Sequence, residues 1–138
     1  MREILLDIKL INITDIENAS QSIIKPEQIR SIEVKGLLDT GSHLLVIPNW
    51  IAEKLGLEKE DEISVQYADG RVDKLPVYSP VRVEINKRHT VVEPVVGNSD
   101  KVLIPNRIIE AMDFMIDSVE GKLKPRHPEF DLPLAHIY

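Results

Sequence analysis

The sequence predicts a mostly β domain with two short helices and an approximate two-fold within the chain. Three observations carry this. Apolar and polar residues alternate in several short runs, the period of a half-buried strand. A strand-to-helix segment occurs twice, 57 residues apart. A lone carboxylate, Asp39, sits inside an apolar stretch that runs from Leu37 to Ile47.

The bulk composition is that of one ordinary globular domain. The chain has 138 residues, enough for one core, with 43% hydrophobic and 29% charged residues. We read residues 1–138 as a single domain, with a strand and loop over 1–28 and an extended tail over 125–138. No cysteine is present, which excludes disulfides, thiolate metal sites and cysteine nucleophiles. A net charge of −6 argues against a nucleic-acid partner, which needs a basic face. No run is long enough to span a membrane and no leader pattern opens the chain, so the expected location is cytoplasmic.

In order, Ile4 to Ile13 alternates as a strand. Asn12 to Lys25 is polar and mixed, and reads as a long loop or hairpin. Ile29 to Leu38 is a second strand that delivers Asp39 into a turn at Thr40-Gly41. Leu44 to Ile47 is a short strand. Pro48-Asn49 opens a helix over Trp50 to Leu55, and Gly56 closes it as a left-handed cap. The charged run Glu58 to Glu62 reads as a solvated loop. Ile63 to Tyr67 and the stretch from Val72 alternate, and Asp69-Gly70 between them signals a two-residue hairpin. Val81 to Ile85 and Thr90 to Val96 are strands joined at Asn86-Lys87. A second helix covers Pro105 to Asp113, a turn falls at Glu120-Gly121, and the tail from Pro125 holds three prolines.

The repeat aligns Val46-Ile47-Pro48-Asn49 with Leu103-Ile104-Pro105-Asn106. It continues through Ile51, Glu53 and Leu55 against Ile108, Glu110 and Met112. Each copy spells a strand, a proline at a helix start and an apolar stripe at helical spacing. The same offset places Asp39-Thr40-Gly41 opposite Val96-Gly97-Asn98, which has no carboxylate.

One carboxylate is a poor hydrolytic device, and two facing each other are a good one. Close together they hold one proton between them. One then acts as base on a trapped water and the other as acid toward a carbonyl oxygen. The chain offers a single suitable Asp, so a two-fold homodimer would supply the second. In that arrangement Gly41 turns its N–H to the carboxylate. Thr40 reaches a backbone group across the axis, and Ser42 bonds the outer oxygen of Asp39. The hairpin tip Tyr67-Ala68-Asp69-Gly70-Arg71 would close over an extended peptide as a flap, with Tyr67 lining its groove.

Leu37-Leu38-Asp39-Thr40-Gly41-Ser42, followed by Val46-Ile47-Pro48, resembles the active-site segment of the retropepsin-like aspartic proteases, above all the small single-lobed prokaryotic members. The likeness covers roughly Ile29 to Lys124 and includes the hairpin at Ala68-Asp69-Gly70, the strand Val81 to Ile85 and the second helix. It implies a closed, mostly antiparallel β lobe and a homodimer with Asp39 catalytic in each chain. It also implies hydrolysis of a peptide or protein substrate by an activated water, with no metal or other cofactor. Two positions depart from the pattern: Pro105 stands where the family usually has glycine, and the hairpin tip is not glycine-rich. These departures leave a second reading, a catalytically silent peptide-binding or dimerisation module of the same fold. A third is a monomeric β domain in which Asp39 merely caps a turn.

The four histidines, His43, His89, His127 and His136, show no metal-ligand spacing. His43 lies near enough in sequence to tune Asp39, but a surface or loop role is the favoured reading. Trp50 reads as packing, and Arg71 as an exposed turn residue within reach of a substrate.

Overall fold

A computed structural model describes residues 3–137. The strands are β1 (Leu5–Asn12), β2 (Ser31–Asp39), β3 (Val46–Ile47), β4 (Lys59–Gln66), β5 (Val72–Tyr78), β6 (Val81–Ile85), β7 (Arg88–Val92), β8 (Val95–Val96), β9 (Val102–Pro105), β10 (Phe114–Asp117) and β11 (Lys122–Pro125). The helices are α1 (Ile13–Ser20), α2 (Asn49–Lys54) and α3 (Asn106–Ala111). Nine strands form one sheet in the order β4-β5-β8-β3-β9-β2-β1-β6-β7, and β10 and β11 pair apart from it. The fold is mostly β: the large sheet curls into a half-barrel, as a single retropepsin-like lobe does.

Alternation makes the inner face. Leu6, Ile8 and Leu10 of β1 point inward with Val81, Val83 and Ile85 of β6, all buried. Ile47, Ile104, Ile51, Leu55, Ile108, Ile109 and Met112 complete the core from the two helices and their leading strands. Each of these large side chains gains roughly 1.5–3 kcal/mol by leaving water.

Three local readings need correction. The polar stretch after β1 is a helix, so the described residues hold three α-helices rather than two, and 1–28 is more than strand and loop. Asn12 ends β1 and caps α1, its Oδ1 accepting from the Asp15 N–H at 3.2 Å while its Nδ2 donates to the Leu55 carbonyl at 2.8 Å. Asp15 is buried and accepts from Nε and Nη2 of Arg30 at 2.9 and 3.0 Å, which holds its carboxyl below the usual range. Tertiary bonds therefore fix a helix that its own amphipathicity does not announce. The charged run 58–62 is not a loop: from Lys59 it belongs to β4, the exposed end strand of the sheet. The strand expected over Thr90 to Val96 breaks at buried Pro94, which lacks a ladder N–H, so β7 stays with β6 while β8 crosses to β5 and β3.

Gly56 closes α2 at φ +65°, as a left-handed cap should. Asn86 and Lys87 take φ +47° and +69°, the mirror-type turn that suits a two-residue hairpin.

Candidate active site

The repeat is a structural one. Both helices start from an extended proline, Pro48 at φ −74°, ψ 156° and Pro105 at φ −77°, ψ 153°. In both, the following asparagine donates its side-chain N–H to a glutamate four residues on, Asn49 to Glu53 and Asn106 to Glu110, each at 2.9 Å. Strands β3 and β9 meet antiparallel at Val46 and Leu103, which are repeat mates, so this pair lies on the internal two-fold. On one side of it β2 runs parallel to β9, bringing Asp39 opposite Pro105. On the other, β8 runs parallel to β3, with Val96 opposite Ile47.

Close approach sets this crossing. Gly36 has no side chain where β2 meets β9, and a Cβ there would lie 2.5 Å from Ile104 Cδ1. A Cβ on Gly97, just past β8, would lie 2.7 Å from Val46 Cγ1.

Asp39 is the last residue of β2 and is half-buried, not enclosed. Its Oδ1 accepts the Gly41 N–H at 3.0 Å, and its carbonyl accepts the Ser42 N–H at 3.1 Å. Gly41 thus does what its position suggests. Ser42 does not bond the carboxylate: its hydroxyl donates to the Leu44 carbonyl at 2.8 Å, closing the loop on itself. Thr40 is exposed at the loop's apex. His43 is exposed too, and its carbonyl accepts a long 3.5 Å contact from Arg107 of α3. The four surface grooves described, about 280 to 580 Å³ in volume, do not include Asp39 among their lining residues.

The expected flap is the β4–β5 hairpin. Its loop holds three residues, not two: Gly70 donates to the Tyr67 carbonyl at 2.9 Å, and Tyr67 donates to the Arg71 carbonyl at 2.8 Å. Gly70 takes φ +90°, closing a turn whose third residue must be left-handed. Arg71 is engaged within the tip rather than free. Its Nε donates to Asp69 at 2.7 Å, its N–H to the same carboxylate at 3.0 Å, and its guanidinium lies 4.9 Å from the Tyr67 ring centroid. These bonds, the backbone one first, hold the Asp69 carboxyl below its usual range. Half-buried Tyr67 donates to Asp73 at 3.3 Å, and burial followed by that carboxylate pushes its phenol up. Ala68 is exposed. Among the described residues, no hydrogen bond or ion pair joins this tip to the Asp39 loop.

A mostly β half-barrel, doubled about an internal two-fold and carrying an aspartate at the end of one crossing strand, defines a retropepsin-like lobe. Residues 26–108, more than half of the chain, match the family described as aspartyl protease, and the chain belongs to that family. No curated protein matches it. The matched span runs from before β2 to the first turn of α3. It leaves β1, α1, the β10–β11 hairpin and the tail outside. Among the described residues, no helix is long and apolar enough to cross a membrane.

Proposed function

We propose that this chain is an aspartic endopeptidase that works as a homodimer, with Asp39 of each copy sharing one active site. The observation that carries this reading is the asymmetry of the internal two-fold. Both halves present a crossing strand ending in a loop, and only the first ends in a carboxylate. The second aspartate of a dyad has to arrive from another molecule.

In the proposed dimer the two half-buried carboxylates face each other across the axis and share a proton. The ionised one takes a proton from a trapped water as that water attacks the scissile carbonyl carbon. The protonated one gives its proton to the carbonyl oxygen. The Gly41 N–H, already on Oδ1, fixes the plane of the carboxylate so that the other oxygen faces the water. Thr40, at the apex, meets the partner loop. The exposed β4–β5 hairpin closes over an extended peptide as a flap, its tip kept in shape by the Asp69–Arg71–Tyr67 contacts.

The test is a peptide-library digest comparing the native chain with Asp39→Asn, alongside sedimentation. Cleavage that disappears in a variant still dimeric supports the proposal, and equal cleavage by both proteins contradicts it. A second reading, a peptide-binding or dimerisation module without turnover, is favoured by Pro105, which occupies the register position beside Asp39. It predicts a dimer that binds peptides and cleaves none.

A further inference from the structure

The tail beyond β11 has no regular structure, yet it is tied to the body at both ends by one side chain. Asp113 follows α3 in the left-handed region, at φ +58°, and is buried. Its Oδ2 accepts the Leu134 N–H at 3.0 Å and lies 2.9 Å from His127 Nδ1, while its backbone carbonyl accepts the Arg126 N–H at 2.8 Å. From the sheet side, Nη1 of buried Arg88 donates to the Met112 and Asp113 carbonyls at 2.8 and 3.0 Å, which holds the residue in place. Between the anchors, Pro128, Phe130, Leu132 and Pro133 help line a groove of about 580 Å³ against Phe114 and Leu123.

This segment has the character of a protease substrate. It is not the extended tail the sequence suggests, since the Phe130 N–H donates to the His127 carbonyl at 3.1 Å and closes a turn, but it lies outside the span matching the family and shows Phe130 and Leu132 at 48% and 76% exposure. A protease must draw several consecutive residues into an extended strand, and a loop pinned at 126–127 and at 134 cannot be drawn in without breaking the bonds to Asp113. We propose that Asp113 is a latch that straps residues 126–134 to the end of α3 and shields this segment from peptide hydrolysis, by other proteases and by the site at Asp39. The second half of that statement rests on the function proposed above.

The charges around the latch are Asp113 itself, Arg88 from β7, and Arg126, His127 and His136 from the tail, with Lys87, His89 and Asp131 on the groove. His127 turns Nδ1 to the carboxylate, where the tautomer with its proton on that nitrogen donates to Asp113.

The test uses the full chain and two variants. Asp113→Asn removes the charge at a position whose left-handed backbone asparagine also accepts. Leu134→Pro removes one donor and leaves the buried Asp113 untouched. Proteinase K at low dose, followed by intact mass, should cut within 126–134 about tenfold faster or more in both variants than in the native chain, while the body up to residue 125 survives. Equal rates in native and Leu134→Pro chains would overturn the latch. Incubation without added protease asks about self-cleavage: truncation of Asp113→Asn that vanishes in Asp113→Asn/Asp39→Asn supports the shielding of the chain's own site. An Asp113→Asn tail that stays intact while the same sample cleaves library peptides contradicts it. Loss of all Asp39-dependent cleavage is a failure of the proposed function and leaves the proteinase K result standing.

Discussion

The two halves of this lobe share a scaffold and differ in chemistry. Strand, proline and helix are built twice, down to the asparagine-to-glutamate bond on each helix. The loops at the crossing strands are not alike. The first carries Asp39, turned by Gly41, and the second carries Val96, packed toward the core, and Gly97 pressed against Val46. Packing constrains both loops equally, because both strands must cross at the centre of the sheet. Only the first has a side chain with something to do there. An interior that is symmetric and a surface that is not are what a half-site would show.

The sharpest way to break that comparison is at residue 39. Asp39→Asn should lose essentially all peptide cleavage while changing stability by no more than about 1 kcal/mol, since the carboxylate makes one backbone hydrogen bond and is half-exposed. Denaturant melts of the two proteins beside their digests would check both parts. The scaffold half of the comparison is tested at the mates Ile47 and Ile104, both fully buried. Each Ile→Ala change should cost about 2–5 kcal/mol, and the two costs should be similar. A large cost on one side alone would mean that the halves are not energetically equivalent.

Glycine substitution sharpens the picture of the crossing. Gly36→Ala places a methyl against Ile104, and Gly97→Ala one against Val46. Both should destabilise by about 1–3 kcal/mol in thermal melts. Only Gly36→Ala should also disturb cleavage, because β2 leads directly into Asp39. At the small end, Asn49→Ala and Asn106→Ala should each cost only about 0.2–0.5 kcal/mol, the size of an exposed pair one turn apart.

The β10–β11 hairpin lies outside this two-fold and should respond to acid on its own. Lys124 bonds the Asp117 carboxylate at 2.8 Å and, with the Glu120 N–H, lowers its pKa from 3.8 to about 2. Asp113 is also held low, first by the Leu134 N–H and then by His127. Both carboxyls are depressed in the folded chain, so what they contribute is whole above the ordinary carboxylate range. For Asp117 it is lost as the pH falls through about 2. Protection of the amides in residues 114–134, taken relative to the intrinsic exchange rate at each pH, should therefore hold steady down to about pH 4 and decline progressively from there to about pH 2.

Much of this was legible in the sequence, for physical reasons. Asp39 at a strand end, the Gly56 cap and the doubled proline-led helices are local signals, each written within a few residues. Other features depend on residues far apart. Helix α1 relies on Arg30 reaching Asp15 and on Asn12 reaching Leu55. The charged strand β4 exists because β5 pairs with it. The Ser42 hydroxyl had two acceptors in reach, and the loop's curvature chose Leu44. The bond between Asp113 and Leu134 has no sequence signature, since an aspartate that accepts from a distant backbone N–H looks like any other.

The central claim is that one active site needs Asp39 from two copies, and mixing tests it most directly. Native chain and Asp39→Asn chain are combined in varying proportion at fixed total concentration, allowed to exchange subunits, and assayed for peptide cleavage. If each site needs both aspartates, activity follows the square of the native fraction, falling to about one quarter in an equal mixture. An activity that follows the native fraction itself, at about one half, would mean that each chain works alone and would contradict the account.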